Sequence, residues 1–292
     1  MSLMKLAQHN LETHFRDNPC RFIVLGVTEE GLGAQVAGIM GRSFNSQNRI
    51  YVVKDGMLRT EAADPSKVDD PRLIIYNVMK SMDRAHVISN GDQTDSVLED
   101  GLIAVLDVKA FYYALKRRHC EPDAPVFTPR ITGCQFSYDM NNIFLSVLKA
   151  EPFAKEHWKQ TEIEANVVGV TRKRFERNGL AQREVSDIYL DDIDRRARLD
   201  HHAFPTLYRE FEQKVKPGFG YCLTTYMPGS KELPSFSGEP LLVPMKGTIE
   251  QIMQTFWEAL EPEWRVAVEG RIIHKNNRVV YVKPINRYQP ME

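Results

Sequence analysis

The chain has 292 residues, 42% of them hydrophobic and 26% charged, with a formal net charge of −1. That length allows a sizeable core without disulfide staples, and the balanced charge excludes the broad basic excess of a nucleic-acid binder. Any anionic ligand therefore has to be held by a local basic cluster.

Short β-like runs open the sequence, at residues 21–27, 35–41, 50–54 and 86–89. The segment from Glu29 to Gly33 suits a hairpin, and Asp55-Gly56 carries a strong two-residue turn signal. The first three runs together predict an antiparallel meander. A helix is predicted next, capped by Asp92 or Thr94, with apolar residues recurring at Val97, Leu98, Leu102, Val105, Leu106, Ala110 and Phe111. Gly101 interrupts that pattern. The proline-rich stretch 121–129 stops any helix. Further strands are predicted at 130–136, 143–148, 167–172, 220–225, 265–274 and 279–283, with a helix at 250–260 between them. Many strands, hairpin turns and few helices predict an α+β fold with largely antiparallel sheets. Residues 172–216 carry dense mixed charge, the pattern of a solvated helical face. They are expected to be a peripheral helical insertion in a single domain spanning 1–292.

Several functions are excluded by missing or broken motifs. The four cysteines, Cys20, Cys120, Cys134 and Cys222, include no Cys-x-x-Cys pair, which argues against a zinc ribbon and fits a reducing compartment. No apolar run approaches the roughly 20 residues that span a bilayer, and the first ten residues lack the apolar centre of a secretory signal. A cytoplasmic protein with no membrane or nucleic-acid partner is expected. Gly31-Leu32-Gly33 after a strand suggests a dinucleotide fingerprint, but Gly38 is at the wrong spacing, and Glu29 and Glu30 would repel a pyrophosphate. Phosphate-loop, zinc-protease and serine-elbow motifs are missing. Adjacent His201 and His202 rarely converge on one ion without further ligands. No metal site is expected.

Four clusters carry chemistry. Residues 41–49 place Arg42, Ser43, Asn48 and Arg49 in one turn. Guanidinium groups grip phosphate bidentately, and hydroxyl and amide groups add donors; a plain polar hairpin loop is the competing reading. Residues 89–95, with Asn90, Asp92 and Thr94, leave a strand and enter a helix. A helix N-terminus favours an anion, while an Asn-Gly turn followed by a cap explains the same residues structurally. Residues 121–131 hold Glu121, Asp123, Thr128 and Arg130 on a loop stiffened by three prolines, a good mount for an acid or base. Tyr76 and Asn77 close an apolar run, where a tyrosine commonly packs in the core.

In their order and spacing these clusters resemble the archaeal-type IMP cyclohydrolases. The matching pieces are Arg42-Ser43 with Asn48-Arg49, Tyr76-Asn77, Asn90 to Asp95, Thr128 to Ile131 with Gly133, and Pro234 to Pro240. The loop after Arg42 is longer than the family pattern and lacks an expected proline. The chain is also much longer, with 172–216 unmatched. The resemblance implies a four-layer α-β-β-α sandwich like that of N-terminal-nucleophile hydrolases, without an N-terminal nucleophile. It implies closure of 5-formamidoimidazole-4-carboxamide ribotide to IMP and water, with no metal or redox cofactor. Arg42 would polarise the formyl oxygen or anchor the phosphate, and Tyr76 would hydrogen-bond the oxyanion. Glu121 or Asp123 would move protons, with Glu121 the catalytic choice. Arg49 and Arg130 would hold phosphate, Asn90 and Asp92 the ribose or carboxamide, with Ser43, Asn77, Thr94, Asp123 and Thr128 as further substrate contacts. An amide hydrolase of the same fold and a non-catalytic purine-nucleotide binder are the alternatives. Oligomeric state is left open, a homo-oligomer being one outcome.

Overall fold

The opening apolar runs pair locally first. In the computed structural model, which describes residues 1–15, 20–41, 44–68, 74–99, 103–121, 128–150, 206–225 and 239–288, β1 (Arg21–Val27) and β2 (Gly33–Met40) form an antiparallel hairpin. The turn closes where the Thr28 amide donates to the Leu32 carbonyl at 2.8 Å. A second hairpin joins β3 (Ile50–Lys54) to β4 (Met57–Glu61). Its two-residue turn holds Asp55 and Gly56 at φ 52° and 72°, the conformation that Asp-Gly favours.

Two seven-stranded sheets result among the described residues. The first runs β11-β10-β1-β2-β12-β13, with β14 also on β12. Its later strands are β10 (Phe219–Thr224), β11 (Leu241–Pro244), β12 (Arg265–Ile273), β13 (Val279–Tyr281) and β14 (Ile285–Asn286). The second runs in chain order from β3 to β9, adding β5 (Asn77–Met82), β6 (Ala85–Ser89), β7 (Arg130–Phe136), β8 (Asp139–Ala150) and β9 (Thr206–Lys214). The protein is mixed α+β with mostly antiparallel sheets. Contacts divide it into two compact units. The larger comprises Met1–Leu115, Ile131–Ser146 and Arg209–Glu292; the smaller comprises Lys116–Arg130 and Val147–Tyr208.

In the larger unit, helix α1 (Leu3–His14) and a late helix, Ile249–Ala259, cover one face of the first sheet. The late helix aligns Ile249, Ile252, Met253 and Phe256 on one stripe and starts at a capping box between Thr248 and Gln251, a reciprocal arrangement that satisfies two orphan amides. Phe256, Phe15 and Phe22 meet with ring centroids 4.9 to 5.7 Å apart. Among the described residues four shorter helices lie between these two in sequence: α2 (Phe44–Gln47), α3 (Gln93–Leu98), α4 (Ile103–Leu106) and α5 (Val108–Lys116); the late helix is numbered α6. Helix α3 packs on β5 and β6, and Tyr112 of α5 meets the Phe144 ring of β8 edge-on.

The faces that the two sheets turn toward each other are unusually polar. They approach closely where a Cβ on Gly133 would lie 2.4 Å from Leu25. Gln35 donates to the His86 carbonyl at 2.9 Å, and Gln135 to the Gly26 carbonyl at 3.0 Å. At their centre Arg271, fully buried on β12, donates to Gln35 Oε1 at 3.0 and 2.7 Å. It also donates to Ser81 Oγ at 3.1 Å, the Tyr281 hydroxyl at 2.9 Å and the carbonyls of Lys80 and Val87 at 3.3 and 3.1 Å. Two residues back on the same face, Glu269 is fully buried, and neither carboxyl oxygen closes a hydrogen bond among the described residues. Burial pushes its carboxyl up to about 9, although the Gly270 and Val282 amides lean toward the anion without reaching normal hydrogen-bond geometry.

Several expectations are corrected. The third opening run, β3, belongs to the second sheet rather than continuing the first meander, because its tight turn pairs it with β4. The predicted continuous helix is split into α3, α4 and α5, with Asp107 at φ 50°, a left-handed backbone that no α-helix accommodates. Within the span expected to be helical, Thr206–Lys214 is a strand at the end of the second sheet's order. Its charge suits an edge, where Lys, Arg and Glu deter further pairing. Residues 167–172, the rest of that span up to 205, and His201 and His202 lie outside the described residues. Helix α1 and strands β4, β5, β11 and β14 carried too little periodicity to be predicted. Among the described residues no helix is long and apolar enough to cross a membrane.

Two outcomes follow from this polar layer. Arg271→Met strips the donors that join the sheets and should cost about 3–5 kcal/mol in chemical denaturation, the usual loss on breaking a buried charged network; a loss as small as that of an exposed pair would refute the clamp. Glu269 holds its proton in the folded state up to about pH 9 and loses it in the unfolded chain near its ordinary value of 4.5. Between those values the folded state binds the extra proton, so its contribution to stability falls as pH rises. Because His86, pushed down to about 3 first by burial and then by Arg271, acts in the opposite sense at acid pH, the comparison has to be made with Glu269→Gln. That variant should lack a downward slope of about 1.4 kcal/mol per pH unit in its denaturation free energy.

Candidate functional site

Tyr76 lies just ahead of β5 and is 8% exposed. Its backbone is clamped on Thr60: its amide donates to Thr60 Oγ1 at 3.0 Å and its carbonyl accepts from the Thr60 amide at 3.0 Å. The backbone at Tyr76 is therefore held in place without use of the side-chain hydroxyl. Arg49, buried in the segment before β3, has its amide on the Gln47 carbonyl at 2.8 Å. Asn48 beside it exchanges two hydrogen bonds with the Asp64 backbone at 2.9 and 2.8 Å, so that residue frames the loop. Arg42 and Ser43 lie outside the described residues.

The loop from Ser89 to Thr94 is a framework as much as a binding edge. Asn90 Oδ1 accepts from the Ile131 amide and from Gln93 Nε2, each at 2.9 Å. The Thr94 and Ser89 hydroxyls meet at 2.5 Å. Asp92 stands at the N-cap of α3 but makes no side-chain cap bond. Asn77 donates to both oxygens of Asp95, at 3.1 and 3.0 Å, and Lys80 adds an ion pair to the same carboxylate at 3.0 Å. Thus Asn77 and Asp95, eighteen residues apart, tie β5 to α3.

In the smaller unit, Glu121, Thr128 and Arg130 are all buried, and the Glu121 amide donates to the Thr128 carbonyl at 3.1 Å. The amide of the neighbouring Cys120 donates to Thr206 Oγ1 at 3.3 Å. Asp123 lies outside the described residues. That backbone hydrogen bond places Glu121 and Thr128 side by side.

Three residues that sequence reasoning missed share the neighbourhood of Tyr76. Tyr51 on β3, 3% exposed, lies within electrostatic reach of Tyr76, Arg21, Arg49 and Glu269. Burial and then Tyr76 drive its phenol well above the ordinary range, against the pull of Arg21 and Arg49. Its backbone is held at both ends by Asn286 of β14, at 2.9 Å each. Arg21 donates to the Asn90 carbonyl at 3.0 Å, which links the Asn90 loop to the same neighbourhood. A signal existed for Glu269: in the apolar strand 265–273, Glu269 and Arg271 stand two apart and so point to one face. Among the described residues no group of three or more His, Cys, Asp and Glu side chains is placed to hold a metal ion.

The larger unit thus gathers two phenols, two guanidinium groups and one carboxyl in a low-dielectric setting, where donors aimed at developing charge act most strongly. Residues 19–215 match the family described as IMP cyclohydrolase-like protein. The chain is also similar to an IMP cyclohydrolase of Methanopyrus kandleri, with 29% identity over 108 residues. That match covers 36% of this chain and 54% of the relative, so the chain spans about half the length of the curated relative it matches. The family match takes in Arg49, Tyr76, Asn90, Glu121 and Arg130 and covers well over half of the sequence, and on it the chain belongs to the IMP cyclohydrolase-like protein family.

Proposed function

We propose that this protein closes the six-membered ring of a purine ribotide, converting 5-formamidoimidazole-4-carboxamide ribotide to IMP and water. The observation that carries the reading is the family match over 19–215, within which Tyr76 and Arg49 lie close to one buried phenol, Tyr51. The two sheets with helices packed on them support the four-layer α-β-β-α arrangement of N-terminal-nucleophile hydrolases, in one domain with a peripheral segment.

In this reaction the carboxamide nitrogen attacks the formyl carbon on the same imidazole. Proximity is built into the substrate, so the protein has to hold the reactive rotamer, stabilise the oxyanion and move protons. The C–N bond forms as the formyl C=O opens. The oxygen then leaves as water with one proton from the carboxamide nitrogen and one from the formamido nitrogen. Tyr76 donates to the developing oxyanion. Arg42 polarises the same oxygen or joins Arg49 and Arg130 on the phosphate. Glu121 relays the protons, with Asp123 as the other carboxylate of that loop. Ser43, Asn77, Asn90, Asp92, Thr94 and Thr128 shape the contacts to ribose and carboxamide. The ordered framework around Asn90 and Thr94 supports a positioning role for that loop.

The direct test is to incubate the purified protein with the formylated ribotide and measure IMP. Formation of IMP supports ring closure; tight IMP binding without turnover would support a non-catalytic nucleotide binder instead. Tyr76→Phe keeps the ring and removes the hydroxyl, so turnover should fall by about 10- to 1,000-fold, the range for losing one oxyanion donor. Affinity should change less, because the charge develops only in the transition state. An unaltered single-turnover rate in a stably folded variant would remove Tyr76 from the mechanism. Arg49→Ala should weaken ribotide binding by about 10- to 100-fold, the scale of a charge-assisted hydrogen bond, and leave the nucleoside unaffected. Equal losses for both ligands would show that Arg49 does not hold the phosphate.

A further inference from the structure

The C-terminal segment reaches the polar loop at 41–49 from a sequence separation of 241 residues, where the Tyr288 hydroxyl donates to Gln47 Oε1 at 3.3 Å. Gln47 carries that contact into the loop. Its Nε2 donates to the Gly41 carbonyl at 2.9 Å, and its own carbonyl accepts the Arg49 amide at 2.8 Å. A carboxamide suits this place because it has an acceptor and a donor at one tip: the oxygen serves Tyr288 and the nitrogen serves Gly41. A glutamate there would keep the acceptor and lose the donor. Gly41 also lies hard against Ser46, whose carbonyl carbon a Cβ on Gly41 would approach to 2.6 Å. Gly41, Ser46, Gln47 and Arg49 are thus tied together by bonds and close contact.

The segment that carries Tyr288 is itself fastened to the start of β12. The Asn286 backbone is in register with Ala267. The Arg287 amide donates to the Val266 carbonyl at 2.8 Å, and its guanidinium reaches the Glu263 carbonyl. The same stretch holds the base of the loop, since the Gly41 amide donates to the Trp264 carbonyl at 2.8 Å. Residues 263–267 therefore anchor both ends of the Tyr288–Gln47–Gly41 chain. Asn286 adds a second tie. Its side-chain amide takes the Tyr51 amide and carbonyl at 2.9 Å each, as a neighbouring strand would. Arg49 is thus bracketed: Gln47, two residues before it, is held by Tyr288, and Tyr51, two residues after it, by Asn286. Asn286 and Tyr288 are only half-buried and Arg287 is exposed, so directional bonds place these residues more than burial does. All of them belong to the larger unit.

We propose that Asn286 and Tyr288 are positioning residues for Arg49, and that through it they set the preference of the site for a ribotide over its nucleoside. The inference rests on the phosphate role given to Arg49 in the ring-closure reading. A guanidinium gives up rotamer freedom when it grips a phosphate, and a backbone already fixed on both sides lowers the cost of that grip. Asn286 and Tyr288 act on the loop and not on the ligand. They stand beyond residue 215, where the family match ends, so the C-terminal segment completes a loop that the matched part of the chain supplies.

The test is calorimetric titration of the full chain with IMP and with inosine, beside thermal melts, for the wild type, Tyr288→Phe, Asn286→Ala, Arg49→Ala and the Tyr288→Phe/Arg49→Ala double variant. Tyr288→Phe keeps the ring and removes the donor. It should weaken IMP binding by about 2- to 10-fold, the scale of one neutral hydrogen bond, and leave inosine binding unchanged. Asn286→Ala should shift the two affinities in the same way and also lower the melting temperature. In the Arg49→Ala background Tyr288→Phe should add little, because residues acting through one contact are not additive. Equal losses for IMP and inosine would overturn the inference, as would a folded Tyr288→Phe with wild-type IMP affinity or a fully additive double variant. So would a wild type that binds IMP no better than inosine. If Asn286→Ala fails to fold, Tyr288→Phe carries the same test. A wild type that prefers IMP but forms none from the formylated ribotide would overturn ring closure alone, with the binding result still deciding the role of Tyr288.

Discussion

A guanidinium buried between two β-sheets is tolerable only when its donors are satisfied, and the placement of Arg271 meets that demand from both sides at once. Gln35 and Tyr281 come from the first sheet, and Ser81 with the carbonyls of Lys80 and Val87 from the second. A shift of either sheet by one residue would turn these partners to the opposite face. The bonds of Arg271 thus define how β12 meets β5 and β6. Gln35 and Gln135 extend the same polar seam, each donating to a backbone carbonyl of the opposite sheet. Directional bonds thus join the aliphatic contacts, such as Leu25 against Gly133, in aligning the two sheets.

That constraint places the candidate site. β12 carries Glu269 on the face of Arg271, so aligning Arg271 with the second sheet also fixes Glu269. β14 returns to β12 and anchors the Tyr51 backbone through Asn286. Arg21, on the outer side of the β1–β2 hairpin from β12, reaches the Asn90 carbonyl. The neighbourhood of Tyr76 is therefore built from the beginning, middle and end of the sequence. Residues beyond 215, past the end of the family match, supply Glu269 and Asn286, so the C-terminal strands belong to the same architecture.

The apolar counterpart lies on the other face of the first sheet. Phe15, Phe22 and Phe256 lock α1 and α6 onto it, and Val24, Val36, Met40 and Val268 are buried in the same cluster. Non-directional burial dominates this face, whereas the face toward the second sheet adds directional bonds to its apolar contacts. Burial on both faces contributes stability, and the directional bonds give the sheet a single alignment with its neighbour.

By itself the sequence determined what local chemistry controls. Thr28 to Leu32 and Asp55-Gly56 are turns because their residues accept the required backbone, so the hairpins could be read without any partner. The clusters at 41–49, 76–77, 89–95 and 121–131 were legible as polar loops, and their order identified the family. It did not reveal that Asn90 and Asn48 use their side chains to hold loops, since both roles look alike in one dimension. Nor could it place β3 in a second sheet or read Thr206–Lys214 as an edge strand, because a charged strand and a charged helix face differ only in what they pack against. Only the tertiary structure brought Tyr51 to Glu269 and Arg21. Those positions lie far apart in the chain, and the register that joins them is fixed by burial and hydrogen bonding across two sheets, not by any signal within a window of residues.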